Sequence, residues 1–392
     1  MTVLKNGRIL TPDGILDDHV LLLEKDHISA LVRSDVFVPG TQDECIDVEG
    51  AWIMPGFIDI HADYIEHMAA PRPTSLMDFS LALREAEREL VGHGITTMFH
   101  SLSLYRHTDF GSNPIRSSEN TSKLMELVHK SHKRPHLIRH RFHARFEIDN
   151  MERVDELETY LREKKIHLIS FMDHSPGQGQ FRNIEIYRKM LKGYQTLSET
   201  ELDRIVLEGQ SREKLTVEVI AAIAALARIN GISVASHDDD SLEKIALVQS
   251  FGTEISEFPI TMEVAREARR LGMHTVAGAP NILLGGSHSG NLSAAEAILD
   301  GSVDVLCSDY YPAAMLHAVF LMHRQHGMDL HLMVNLVTVN AAKAVGMDDE
   351  LGSVVAGKKA DLLIVEELED GFPAVRSAFV DGRRVLQTNY RI

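Results

Sequence analysis

The chain has 392 residues, 44% of them hydrophobic, enough for one large or two smaller domains with a sizeable core. Acidic residues (57) outnumber basic ones (40) for a formal net charge of −17, which argues against nucleic acid and anionic membranes as partners. No run approaches the ~18 apolar residues of a membrane span, and the N-terminus lacks the charged start and apolar middle of a signal peptide. The two cysteines, Cys45 and Cys307, lack zinc-type spacing, so a reducing, cytoplasmic setting is expected, with Cys307 a buried strand residue.

Residues 1–50 read as short strands with turns at Asn6-Gly7 and Asp13-Gly14. The apolar run ending in Phe57, Ile58 and Ile60 reads as a buried parallel strand closed by His61 and Asp63. From there to about residue 349, apolar runs alternate with helical stretches. Candidate strands end near His61, Leu102, Glu147, His174, His237, Glu257, Gly278 and Asp309, the eight that a (β/α)8 barrel needs. Helices are expected over 78–93, stopped by Gly94, over 119–132 with Ser118 as cap, and over 216–230, stopped by Gly231. The charged stretch 190–215 reads as a solvated helical insertion. After Gly357 the strand-like character returns, with Asp381-Gly382 as a hairpin turn. The expected fold is α/β: a TIM barrel over 55–349, with a small discontinuous β-sandwich domain formed by both termini, 1–54 and 350–392.

Five strand ends carry six residues of metal-ligand type: His61, Asp63, Glu147, His174, His237 and Asp309. Residues two apart on a strand share a face, so His61 and Asp63 converge where barrel enzymes place their active sites. This mix of imidazole and carboxylate suits a divalent metal, zinc with manganese or iron as alternatives, and six ligands suffice for two ions bridged by Glu147. Such ions lower the pKa of a bound water, and Asp309 is the candidate general base. Glu257 competes with His174 as a ligand, and spacing leaves the choice open. Glu66, His67 and Asp238 are candidate supporting partners.

Met54-Pro-Gly-Phe-Ile-Asp-Ile-His61 and Gly357-Lys-Lys-Ala-Asp-Leu-Leu-Ile-Val365, with the two-ended β domain, resemble the amidohydrolases. Most of those have His-x-His on the first strand; here it is His61-Ala62-Asp63. With Pro71-Arg-Pro73, Gly94-Ile-Thr-Thr97, Met172-Asp-His-Ser-Pro-Gly-Gln178, Ser236-His-Asp-Asp239, Glu257-Phe-Pro259 and Gly285-Gly-Ser-His-Ser-Gly-Asn291, the chain resembles the PhnM family. Its members are α-D-ribose 1-methylphosphonate 5-triphosphate diphosphatases of the carbon–phosphorus lyase pathway. The resemblance implies pyrophosphate release by the six-residue metal centre. The metal-bridging lysine of many amidohydrolases has no counterpart, which favours Glu147 as the bridge.

A triphosphate needs cations and backbone donors around it. Arg72 follows the first strand, Arg141 and Arg145 lie on the third, and Arg182 follows a glycine-rich loop. Ser287, His288 and Asn291 in the loop at 285–291 are further candidates for holding phosphate. The runner-up reading is an amidohydrolase acting on C–N bonds, a deacetylase or cyclic amidase. A scaffold without catalysis is the third. A homodimer is expected.

Overall fold

The computed structural model describes residues 1–72, 75–104, 114–181, 183–194, 197–286 and 291–391. Eight parallel strands lie side by side in chain order: Phe57–Ala62, Ile95–Leu104, Arg139–Glu147, Leu168–Met172, Ser233–His237, Ile255–Glu257, His274–Gly278 and Val305–Cys307. The chain after the eighth returns to the first. Ala62 bridges Asp309, the Asp309 N–H donates to the His61 carbonyl at 3.0 Å, and the Asp63 N–H donates to the Asp309 carbonyl at 3.0 Å. These contacts close the barrel and fix His61, Asp63 and Asp309 beside one another.

Every strand ends within two residues of its expected position. The reason is burial on both faces. Inward residues such as Ile60, Phe99, Leu168, Ile255 and Val305 fill the barrel. Outward ones such as Phe57, Met98, Phe142 and Phe146 join the core under the helices. Most strands therefore read as short apolar runs, whereas the third, Arg139–Glu147, alternates polar inward residues with apolar outward ones. The first strand is not regular. Asp59 pairs with Met98 and Ala62 with His100, so an extra residue bulges there.

Helix Phe79–Gly92 is capped by Asp78, which accepts from the Leu81 N–H. It ends at Gly94, whose φ is +90° and where a Cβ would stand 2.8 Å from Leu363 and 3.1 Å from Phe57, so glycine is required twice over. Helix Ser118–Ser131 is capped by Ser117 rather than Ser118; the Ser117 hydroxyl accepts from the Asn120 N–H. Helix Val217–Ile229 has Thr216 as its cap. The insertion forms two helices, Ile184–Tyr194 and Glu199–Gln210, over an apolar cluster of its own that includes Tyr187, Leu191 and Leu202. It is a small packed unit, not only a solvated excursion.

Both termini build the flanking sheets. One has the order His27–Arg33, His19–Glu24, Thr2–Lys5, Glu44–Asp47. The other mixes ends in the order Arg383–Gln387, Pro373–Val380, Leu362–Glu367, Trp52–Pro55, Arg8–Thr11, Gly14–Leu16. Leu4, Leu21, Ile53, Leu362 and Phe379 form a core shared by both. Asp381 and Gly382 both have positive φ, 48° and 70°, as a two-residue hairpin turn requires. Arg139, at the start of the third barrel strand, pairs with Asp361 and Asp381 and ties barrel to sheets. Among the described residues no helix is long and apolar enough to cross a membrane.

Candidate metal centre

The carboxyl ends of the strands bring three donors together at the barrel's mouth. His61 Nδ1 is 2.9 Å from Glu257 Oε1, and both side chains are buried. The His237 ring lies 5.2 Å from that of His61, and donor atoms of His61, His237 and Glu257 all fall within 4.8 Å of one another. His174 is next, its ring 6.2 Å from His237, with Nδ1 against the Glu147 carboxylate. Asp63 and Asp309 line the same cavity of about 360 Å³ as His61 and His237. All six sequence-expected ligands thus sit at one end of the barrel.

The donor set fits a divalent cation. The buried His237 ring has no hydrogen-bond partner on either nitrogen, although Asp238 Oδ2 comes within 3.0 Å of Nδ1. Glu257 Oε2 is also buried without a partner. Such orphans cost about 1–3 kcal/mol each unless something else satisfies them. Burial lowers the His61 pKa well below the usual imidazole range and leaves the ring neutral, the form that ligates. His61, Asp63, Glu147, His174, His237, Asp309 and Glu257 are the residues available to hold metal.

Burial and the nearby Asp63 push the Asp309 carboxyl up to about 7. The backbone leaves three strands in the left-handed region: Asp238 has φ 50°, Phe258 54° and Asp309 59°. For a bulky residue such as Phe258 this is a genuine outlier, a strain of order 1–3 kcal/mol that tends to occur at functional sites. The Phe258 ring packs against both His61, edge to face at 4.9 Å, and His237, tilted at 5.1 Å. Gly278 leaves room for this arrangement, since a Cβ there would meet Asp309 Oδ2 at 3.2 Å.

The cations expected around substrate divide. Arg145 and Asn291 line the cavity. Arg141 does not. Its guanidinium lies 3.1 Å from the His132 ring, at the opposite end of the barrel. It shares an inward face with Arg145 and Glu147, but six residues at about 3.3 Å each put it about 20 Å below Glu147. Arg72 is exposed after helix Tyr64–Ala69, bridges Ser75 and is not among the cavity residues. Arg182, Ser287 and His288 lie outside the described residues.

Supporting roles are reassigned as well. Glu66 faces Arg116, with Nε 2.8 and 3.0 Å from its oxygens, rather than a ligand. His67 lies beside Tyr64, ring to ring at 6.2 Å. Two buried groups escaped the sequence reading. His143, 5.1 Å from the His61 ring, is held by Ser101 at 3.0 Å and Ser170 at 2.9 Å. Asp59 accepts from the Ser308 hydroxyl and from the Ser308 N–H at 3.2 Å, joining the strands that carry His61 and Asp309. The third strand's alternation was the available signal for His143; nothing in sequence marked Asp59's partner.

An eight-stranded barrel with imidazoles and carboxylates gathered at the strand ends defines the class of barrel hydrolases. The amidohydrolase family matches residues 52–385. Alpha-D-ribose 1-methylphosphonate 5-triphosphate diphosphatase of Escherichia coli K12 is 33% identical over 388 residues, covering 98% of this chain and all of that protein. The chain belongs to the amidohydrolase superfamily and, within it, to the PhnM family. The fold is shared with a solved amidohydrolase (18% identity, TM-score 0.66, 99% of each chain). It is also shared with N-acetylglucosamine-6-phosphate deacetylase of Pasteurella multocida (15% identity, TM-score 0.63, 98% and 99% of the two chains). The protein is therefore a hydrolase of a metal-dependent superfamily.

Proposed function

We propose that this protein hydrolyses α-D-ribose 1-methylphosphonate 5-triphosphate to the 5-phosphate and pyrophosphate, using two divalent ions, zinc by the donor set. The observation that carries the reading is identity along the full length of the E. coli diphosphatase. The cavity supports it, because Arg145 stands in a site otherwise crowded with carboxylates. Bound ions supply Lewis acidity toward phosphoryl oxygens. His61, His237 and Glu257 form one donor group and Glu147 with His174 a second, which suits two ions.

The chain's own residues do the rest. Arg145 holds an anionic phosphoryl oxygen and orients the triphosphate. Asp309 takes the proton as the water oxygen bonds to the phosphorus nearest the ribose. The bond from that phosphorus to the bridging oxygen breaks, and pyrophosphate leaves with the electron pair. Asn291 contributes a neutral polar contact on the same wall.

Purified protein with zinc or manganese, given the ribose methylphosphonate triphosphate, should yield pyrophosphate and the 5-phosphate by phosphorus NMR. Turnover of a cyclic amide or N-acyl amino sugar, with the triphosphate untouched, would refute the reading.

A further inference from the structure

A second group of metal-type donors lies away from the barrel's mouth. Glu87 projects from helix Phe79–Gly92, His140 is the second residue of the third barrel strand, and His136 precedes that strand. His136 Nδ1 is 2.9 Å and His140 Nε2 3.1 Å from Glu87 Oε2, and the three residues' donor atoms fall within 4.8 Å of one another. Glu87 and His140 are buried, while the His136 side chain is 10% exposed. From His140 to the mouth at Glu147 is seven residues, about 23 Å along the strand.

We propose that Glu87, His136 and His140 bind a zinc-type divalent cation at a site separate from the catalytic centre. Tetrahedral zinc with bonds of about 2.0 Å sets its ligands about 3.3 Å apart. The two histidine-to-carboxylate separations are already within a few tenths of that value. The outer contacts needed to orient ligands are present. His140 Nδ1 lies 2.8 Å from His100 Nε2, and the Leu137 N–H donates to Glu87 Oε2 at 2.9 Å. Binding needs a change of tautomer at three rings. His136 presents the lone pair of Nδ1 and carries its proton on Nε2. His140 presents the lone pair of Nε2 and moves its proton to Nδ1, where His100 Nε2 accepts it, and His100 in turn carries its own proton on Nδ1. His136 provides the open edge through which a cation enters and where water completes the coordination. The ion would clamp the helix to the outside of the barrel wall, so its effect is on stability rather than chemistry.

Crystals of the whole protein grown with micromolar zinc, measured at the zinc absorption edge, test this directly. An anomalous peak between Glu87, His136 and His140 is expected; saturated crystals with none there overturn the proposal. In solution, His136→Asn should bind one equivalent of zinc fewer than the wild type and show a smaller zinc-dependent rise in Tm, keeping only the part due to the catalytic centre, with turnover unchanged. His136 sits at the edge of the cluster, so this variant is expected to fold. Unchanged zinc stoichiometry in the folded variant would overturn the proposal independently.

Discussion

Glu257 Oε1 stands 2.9 Å from His61 Nδ1, although 196 residues separate the two in the chain. Sequence left Glu257 and His174 as rivals, because spacing along a chain gives no distances across a barrel. The structure puts Glu257 in the tight donor group with His61 and His237, and His174 on the adjoining one with Glu147. Glu257→Gln preserves volume and removes the charge. It should weaken metal binding by at least the ~10–100-fold typical of losing an orienting contact. Metal titration of the stripped protein measures this; wild-type affinity would reduce Glu257 to a brace for His61.

Asp309 is half-buried at the cavity wall, with its carboxyl pushed up to about 7 by desolvation and by Asp63. A base poised near the working pH is efficient in proton transfer. Asp309→Asn keeps the shape and the backbone contacts to His61 and Asp63. It should lower kcat by about 10²–10⁴-fold while the thermal unfolding profile stays close to wild type. Near-wild-type kcat in a folded Asp309→Asn protein would remove Asp309 from the chemistry.

The barrel was legible because strands buried on both faces leave continuous apolar runs, and ligand residues stand where those runs stop. Helix stops at Gly94 and Gly231 were legible for a similar reason, as positive φ leaves little choice of residue. What stayed hidden was geometry that no run encodes. The bulge between Asp59 and Ala62 is invisible in an apolar pattern, and so is the Asp59–Ser308 contact across the seam. Arg141 was misplaced because alternation tells which face a residue takes, not its height in the barrel. The charge of the stretch 190–215 masked its apolar residues, such as Leu191 and Leu202, which pack together only once the helices form.

Arg141 and Arg145, on one face of the third strand, give a paired comparison. Arg145 lines the cavity, whereas Arg141 lies against His132 at the far end. Arg145→Lys keeps the charge and loses the planar fork that, in the proposed reaction, would hold phosphoryl oxygen. It should lower kcat/KM for the triphosphate by about 10²-fold, since bidentate charge-assisted contacts are worth roughly 3 kcal/mol. Arg141→Gln should leave kcat/KM within about twofold, as expected for a group outside the site. Equal losses in both variants would contradict the placement.

The same far end predicts how stability responds to acid. The His132 ring is 5.8 Å from that of His167, and Arg141 lies over His132. Partial burial, reinforced by Arg141, lowers the half-buried His167 to about 3 and His132, an exposed ring where solvent screens the effect, to about 4. Unfolded, both titrate near 6.5. Below that value the unfolded chain binds protons that the folded one refuses. The stabilisation is therefore complete above about pH 6.5 and fades as pH falls toward the folded values. His167 also accepts from the Phe142 N–H at 3.0 Å, a contact that a glutamine carbonyl can take over. His167→Gln should thus lose little stability at pH 8, lie closer to wild type or above it at pH 4.5, and show a shallower slope between. Denaturant unfolding at several pH values measures that slope; parallel curves for the two proteins would show that His167 does not carry the acid sensitivity.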